Sequence, residues 1–192
     1  MAVKLDVPFV TQLGIGAHVK GAVQRDDPTG CWYASASMVA YYFEAGPRLG
    51  LPELFKLDLG GGLLGHHATG SGPANQLSVN HHDLLAQREE LEAVAQCAAA
   101  HIYTTDALEE LLRTRGPIFF YWMKQHAGSQ YGHASVIIGT DNSGIIYHDP
   151  ENKPNSKMSI AQFNSVRQKW KYALMQRRAK GGVAARRLMF AR

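Results

Sequence analysis

The stretch Asp27-Pro-Thr-Gly-Cys31-Trp-Tyr-Ala-Ser-Ala-Ser-Met-Val-Ala-Tyr-Tyr-Phe43 leaves the chain few choices. A turn-forming run ends at Gly30, and the apolar and small residues that follow predict a helix opening on Cys31. Thr29 is the expected N-cap, its hydroxyl accepting from the free amides of the first turn. Trp32, Ser35, Met38, Val39 and Tyr42 fall at helical spacing and form a mostly apolar face, which suits a buried helix. Gly46-Pro47 is the stop signal. A thiol in the first turn lies near the positive end of the helix dipole, a position that favours thiolate. The same unsatisfied amides could bind an oxyanion forming beside the sulfur, so a nucleophile belongs here.

The segments around this helix divide by periodicity. Residues 3 to 10, with Pro8 among them, suit a short strand at a sheet edge. Residues 13 to 30 read as loop, and 47 to 82 as a long irregular excursion with a turn of helix at Pro52 to Lys56. A helix is expected from Asp83 to Glu92, continuing through the Ala-rich stretch to Ala100. Another runs from Thr105, as N-cap, to the break at Gly116-Pro117. Strand-like runs follow at 118–123, 133–140 and 145–149, the last two joined by the turn Asp141-Asn-Ser-Gly144. Ser159 to Gln162 fits a capping box opening a helix through Phe163 and Val166, and the alternation from Trp170 to Gln176 predicts a closing strand. Helices first and antiparallel strands second give an α+β class, a helical lobe facing a sheet lobe, in one domain over residues 1–192.

Several function classes find no support. No apolar run reaches membrane-span length, and residues 1 to 8 lack a signal-peptide core, so export would need a specialised secretion system, unless this is a piece cut from a longer protein. Two cysteines, Cys31 and Cys97, make no disulfide framework, and Cys97 reads as inert core. Nine of the twenty Lys and Arg fall in residues 167–192 with no acid among them, which leaves the rest of the chain at net −5. That tail, including 178–192, reads as a solvated extension rather than a nucleic-acid site, because interleaved aromatics are lacking. The pairs His66-His67 and His81-His82, with Asp83, lack metal-ligand spacing. Gly60-Gly-Gly-Leu-Leu-Gly65 lacks the Lys and Ser or Thr of a phosphate loop. No metal, cofactor or membrane partner is expected.

Two residues give Cys31 a chemical context. His133 opens the hydrophobic strand His-Ala-Ser-Val-Ile-Ile138 after Gly128-Ser-Gln-Tyr-Gly132, which reads as a flexible connection, and Asp149 closes the next strand in Tyr147-His-Asp-Pro150. In a hairpin turning at 141–144, the start of one strand faces the end of the other, which makes His133 and Asp149 neighbours. A histidine beside a cysteine stabilises the thiolate and can protonate a leaving amine, and a carboxylate behind it fixes the ring. His148 points to the opposite sheet face. A glutamine amide could complete the oxyanion site; Gln24, seven residues before Cys31, and Gln12, nineteen before, are both candidates. Gln24 is preferred because a short loop lays it alongside the helix start.

Four segments together carry a resemblance: Thr29-Gly-Cys-Trp-Tyr-Ala-Ser-Ala-Ser-Met38, Arg113-Thr-Arg-Gly-Pro-Ile118, Gly132-His-Ala-Ser-Val-Ile137 and Tyr147-His-Asp-Pro150. In this order they resemble the bacterial papain-like cysteine peptidases, and more closely the compact branch found among secreted effectors and toxins. In that family Cys-Trp opens the central helix, Gly-His starts a strand, and an Asn or Asp completes a triad; Cys31, His133 and Asp149 match those positions. The resemblance implies a papain-like fold, peptide hydrolysis through an acyl-enzyme, a protein or peptide substrate, and an immunity protein that inhibits the cleft. A peptidoglycan amidase, a deamidase or transferase, and a silent binding protein on the same scaffold are the competing functions. Substrate walls are expected from residues 47–82 and 124–131.

Overall fold

The computed structural model describes residues 2–12, 30–43, 82–95, 101–126 and 128–178. Thr29, Gln24, the 52–56 turn, the glycine run at 60–65, His66, His67, His81, Cys97 and the tail beyond 178 lie outside them. Among the described residues seven strands form one antiparallel sheet: β1 (Val3–Lys4), β2 (Leu91–Ala93), β3 (Ile118–His126), β4 (Ser129–Thr140), β5 (Gly144–His148), β6 (Ser156–Ser159) and β7 (Leu174–Arg177). Their order across the sheet is β2-β7-β3-β4-β5-β6. The described helices are α1 (Cys31–Phe43), α2 (His82–Arg88), α3 (Thr105–Arg115) and α4 (Ile160–Val166).

The α1 helix packs on β4 and reaches β3 and β7. Trp32 and Ala34 through Ala40 are all at most 2% exposed, so the helix is buried around its circumference and not along one face. Ala34, Ser35, Ala36 and Ser37 keep it slim there, while Trp32, Met38 and Val39 each contribute roughly 1.5–3 kcal/mol by leaving water. Tyr41, Tyr42 and Phe43 lie partly buried against the same core.

β1 is shorter than the strand expected over residues 3 to 10, covering Val3–Lys4, and pairs with β4 alone among the described strands. β3 starts at Ile118, opposite Ile137, and β1 takes over beside β4 at Gly139 and Thr140. β5 pairs those two residues on their other side, so β4 is flanked there by β1 and β5. A Cβ on Gly139 would meet the Val3 carbonyl oxygen at 2.5 Å, so this close approach needs glycine.

Three further elements depart from expectation. The helix predicted over 83–92 ends at Arg88; Glu90 takes φ 52°, and Leu91–Ala93 pairs with Arg177–Met175 as β2. Sheet pairing overrides the helical preference of Leu, Glu and Ala there. The N-cap of α3 is Thr104, not Thr105: its side chain accepts from the Ala107 amide, and Gly116 at φ 83° ends the helix. The connection expected at 124–131 is mostly sheet, since β3 and β4 stay paired from Ile118↔Ile137 out to His126↔Ser129. By contrast the Asp141 turn forms as read, with the Asp141 carboxylate accepting from the Ser143 and Gly144 amides. Ser159 likewise caps α4, accepting from the Gln162 amide.

Candidate active site

Alternation along β3 and β4 decides which side chains meet. Phe120, Trp122 and Lys124 stand directly opposite Ser135, His133 and Tyr131, so all six share one face. β5 ends at His148, opposite Val136, and the turn after it delivers Asp149 to this face. Backbone bonds from the Asp149 amide to the Lys153 carbonyl and from the Asn152 amide to the Asp149 carbonyl shape that turn. His133 therefore lies within β4 rather than at its start, and Asp149 reaches it from beyond the end of β5.

The His133 Nε2 and Asp149 Oδ1 atoms are 2.7 Å apart, in a bond whose two side chains are each 2% exposed. With Nε2 engaged, Nδ1 is the nitrogen left for Cys31, which lies near enough to act on the charge of the imidazole. Cys31 is a free thiol and the first residue of α1, where the Ala34 amide donates to the Gly30 carbonyl. It is 8% exposed, against 1% for His133 and Asp149. The structure thus brings Cys31, His133 and Asp149 into one chain of contacts, with the sulfur as its most accessible member.

Electrostatics follow from these contacts. Burial opposes the imidazolium, but hydrogen bonds to Asp149 and Cys31 and the charges of both outweigh it, raising His133 to about 9. Burial also opposes the Asp149 carboxylate, yet His133 and Lys124 hold it below the ordinary aspartate range. The Trp122 ring stands edge-on to His133 at 5.7 Å and to Tyr147 at 5.9 Å, and its indole N–H donates to Ser135 Oγ. This aromatic cover keeps water from the His133–Asp149 bond.

Sequence reasoning missed the shell behind Asp149. The Lys124 ammonium donates to Asp149 Oδ2 at 2.7 Å and to Glu151 Oε2 at 2.6 Å. The Tyr131 hydroxyl donates to the same Glu151 oxygen at 2.6 Å, and the Glu151 amide donates to Asp149 Oδ1 at 3.1 Å. His133, Asp149 and Glu151 offer three ligand atoms within 4.8 Å of one another, a spacing that a metal ion could use. Lys124 already sits on both carboxylates, however, so the charge there is met by an ammonium.

His148, read as facing away, does so: its Nε2 bonds to the Val7 carbonyl and its Nδ1 accepts from the Asn155 amide. Burial lowers its pKa and keeps it neutral as a structural brace. His82 is buried against Tyr121 and Trp170. Of the two glutamines, Gln24 lies outside the described residues. Gln12 is fully buried, and its backbone N–H, together with the Thr11 hydroxyl, donates to the carbonyl of Pro150 next to Asp149.

A cysteine at the mouth of a central helix, joined to an imidazole and a carboxylate on an antiparallel sheet, is the plan of a papain-like cysteine protease. The chain belongs to the papain-like cysteine protease AvrRpt2 family, whose pattern it matches over residues 13–168, a span that includes Cys31, His133 and Asp149. Among solved structures it is similar to a protein described as a C39-like peptidase from Bacillus anthracis. The two share 15% identity and a TM-score of 0.47, over 92% of this chain and 97% of that one. The protein is accordingly a cysteine peptidase, an enzyme that acts on protein substrates.

Proposed function

We propose that hydrolysis runs through a Cys31–His133–Asp149 triad and a thioester acyl-enzyme. The observation that carries this reading is the buried His133 imidazole, bonded to Asp149 through Nε2 and close to Cys31 at the mouth of α1. The Cys31 sulfur attacks the peptide carbonyl carbon to give a tetrahedral oxyanion. Collapse of that species breaks the C–N bond, and His133 passes its proton to the leaving amine. Water then loses a proton to His133, attacks the thioester and releases the carboxylic acid with the sulfur restored. Asp149 holds the ring in place throughout.

The test is chemical and proteomic. An epoxide probe is expected to label Cys31, located by mass spectrometry, and His133→Ala is expected to suppress the labelling. New peptide N-termini should appear in a protein extract treated with wild type and be missing with Cys31→Ala. Labelling at another residue, or identical N-termini in both samples, would overturn the proposal.

The protonation of His133 sets the upper limit of activity. A proton held up to about pH 9 is available for the leaving amine, so kcat/KM is expected to fall above about 9. Because the folded-state value exceeds the ordinary one, the stability this proton contributes is complete below about pH 6.5 and fades as pH rises through about 9. A pH–rate profile and thermal melts across that window check both.

The oxyanion donor in this proposal is a glutamine amide, from Gln24 or Gln12. Gln12 is favoured by its attachment to Pro150, beside the triad carboxylate. Gln12→Ala is expected to lower kcat about 100-fold and Gln24→Ala to leave it nearly unchanged. The reverse result in single-turnover assays would assign the role to Gln24.

The setting proposed is that of a bacterial effector or toxin, exported by a specialised system, acting in the target-cell cytoplasm and restrained in the producer by an immunity protein. The support is the resemblance of its motifs to that branch. Loss of viability on expression in a sensitive cell, absent with Cys31→Ala, is the expected result.

A further inference from the structure

We propose that Lys124 and Glu151 are opposed positioning residues: together they fix the net charge behind Asp149, and through Asp149 they set how tightly His133 holds its proton. The proposal rests on His133 being the proton carrier of the triad. It grows from an arrangement that a structural salt bridge does not require. Lys124 is 12% exposed at its side chain and touches two carboxylates at once, one of them, Asp149, only 2% exposed. Both Asp149 oxygens are consequently occupied, Oδ1 by His133 and the Glu151 amide, Oδ2 by Lys124.

Charge bookkeeping shows what each residue does. Asp149 alone presents one negative charge to the imidazole. Lys124 alone would cancel it and loosen the grip on the imidazolium, whereas Glu151 and Asp149 without Lys124 would crowd two negative charges into one shielded pocket. The three together return a net −1, held in place by the Tyr131 hydroxyl. The titratable groups facing this cluster among the described residues are few. Cys31 comes from α1, Tyr131 from β4 and Tyr147 from β5, while Tyr121, on the other face of β3, feels Cys31. Burial, reinforced by the nearby negative groups, raises all three tyrosines, which stay neutral through the working range. The charged groups that remain to tune His133 from behind Asp149 are Lys124 and Glu151.

The two substitutions must therefore act in opposite directions. Lys124→Met takes the cluster from −1 to −2, so the basic limb of the pH–rate profile should move upward by about half a unit or more. Glu151→Gln takes it from −1 to 0, so the limb should move downward by a similar amount. Lys124→Arg keeps the charge and should restore the wild-type limb even where kcat stays reduced. The same three changes made in the Cys31→Ala protein, with His133 followed by NMR titration, read the imidazole without any need for turnover. Opposite shifts in that background uphold the inference even if hydrolysis proves to use another nucleophile. Shifts of the same sign, or none in variants whose melting shows them folded, overturn it and leave Lys124 and Glu151 as packing groups.

Discussion

Cys31→Ala is expected to keep the fold and to lose at least about 10⁴-fold in peptide hydrolysis, the scale on which a covalent nucleophile is missed. The substitution removes one sulfur from a side chain that is already 8% exposed, so the cavity it leaves is small and should cost about 1 kcal/mol. The helix around it is held by Trp32, Met38 and Val39, none of which is disturbed. Activity and folding are therefore separable at this position. Circular dichroism and a thermal melt should resemble wild type while a fluorogenic peptide assay reads only background. Undiminished hydrolysis by the folded variant would remove Cys31 from the chemistry.

Asp149→Ala should be nearly as severe, with kcat reduced by about 10³-fold or more. The carboxylate does three things at once. It orients His133 through a 2.7 Å bond, it offsets the burial that disfavours the imidazolium, and it receives the Lys124 ammonium. Without it the imidazole is free to turn away from the sulfur, and its proton is held less firmly. The basic limb of the pH–rate profile should then fall below about 9. Asp149→Asn keeps an acceptor for Nε2 and should retain more activity than Ala, with its limb also lowered. If Ala and Asn variants turned over at the wild-type rate, the carboxylate would be a turn residue and nothing more.

How far these features could be read in advance depended on whether the determining forces were local. The start of α1 at Cys31, the cap at Ser159 and the Asp141 turn rest on short-range hydrogen bonds, and the sequence spells them out. The juxtaposition of His133 and Asp149 follows from one tight turn, so a hairpin argument reaches it without tertiary information. The strand at Leu91–Ala93 was illegible because its partner, Leu174–Arg177, lies more than eighty residues away and outweighs a helical preference. Lys124 and Tyr131 were hidden by the glycines at 128 and 132, which suggested a flexible connection. The period-two series Phe120, Trp122, Lys124 and Tyr131, His133, Ser135 was the signal that could have extended both strands across it.

The nearly unbroken ladder of β3, β4 and β5 has a consequence for assembly. Imidazole, carboxylate, Lys124, Glu151, Tyr131 and the Trp122 cover all come from one stretch between residues 118 and 151, built by pairing of sequence neighbours. The sulfur is contributed from a hundred residues upstream, by the seating of α1 against that ribbon. A refolding chain can thus complete its proton-handling half from local pairings and gain activity only when this long-range contact forms. Peptidase activity is in this sense gated by that docking step.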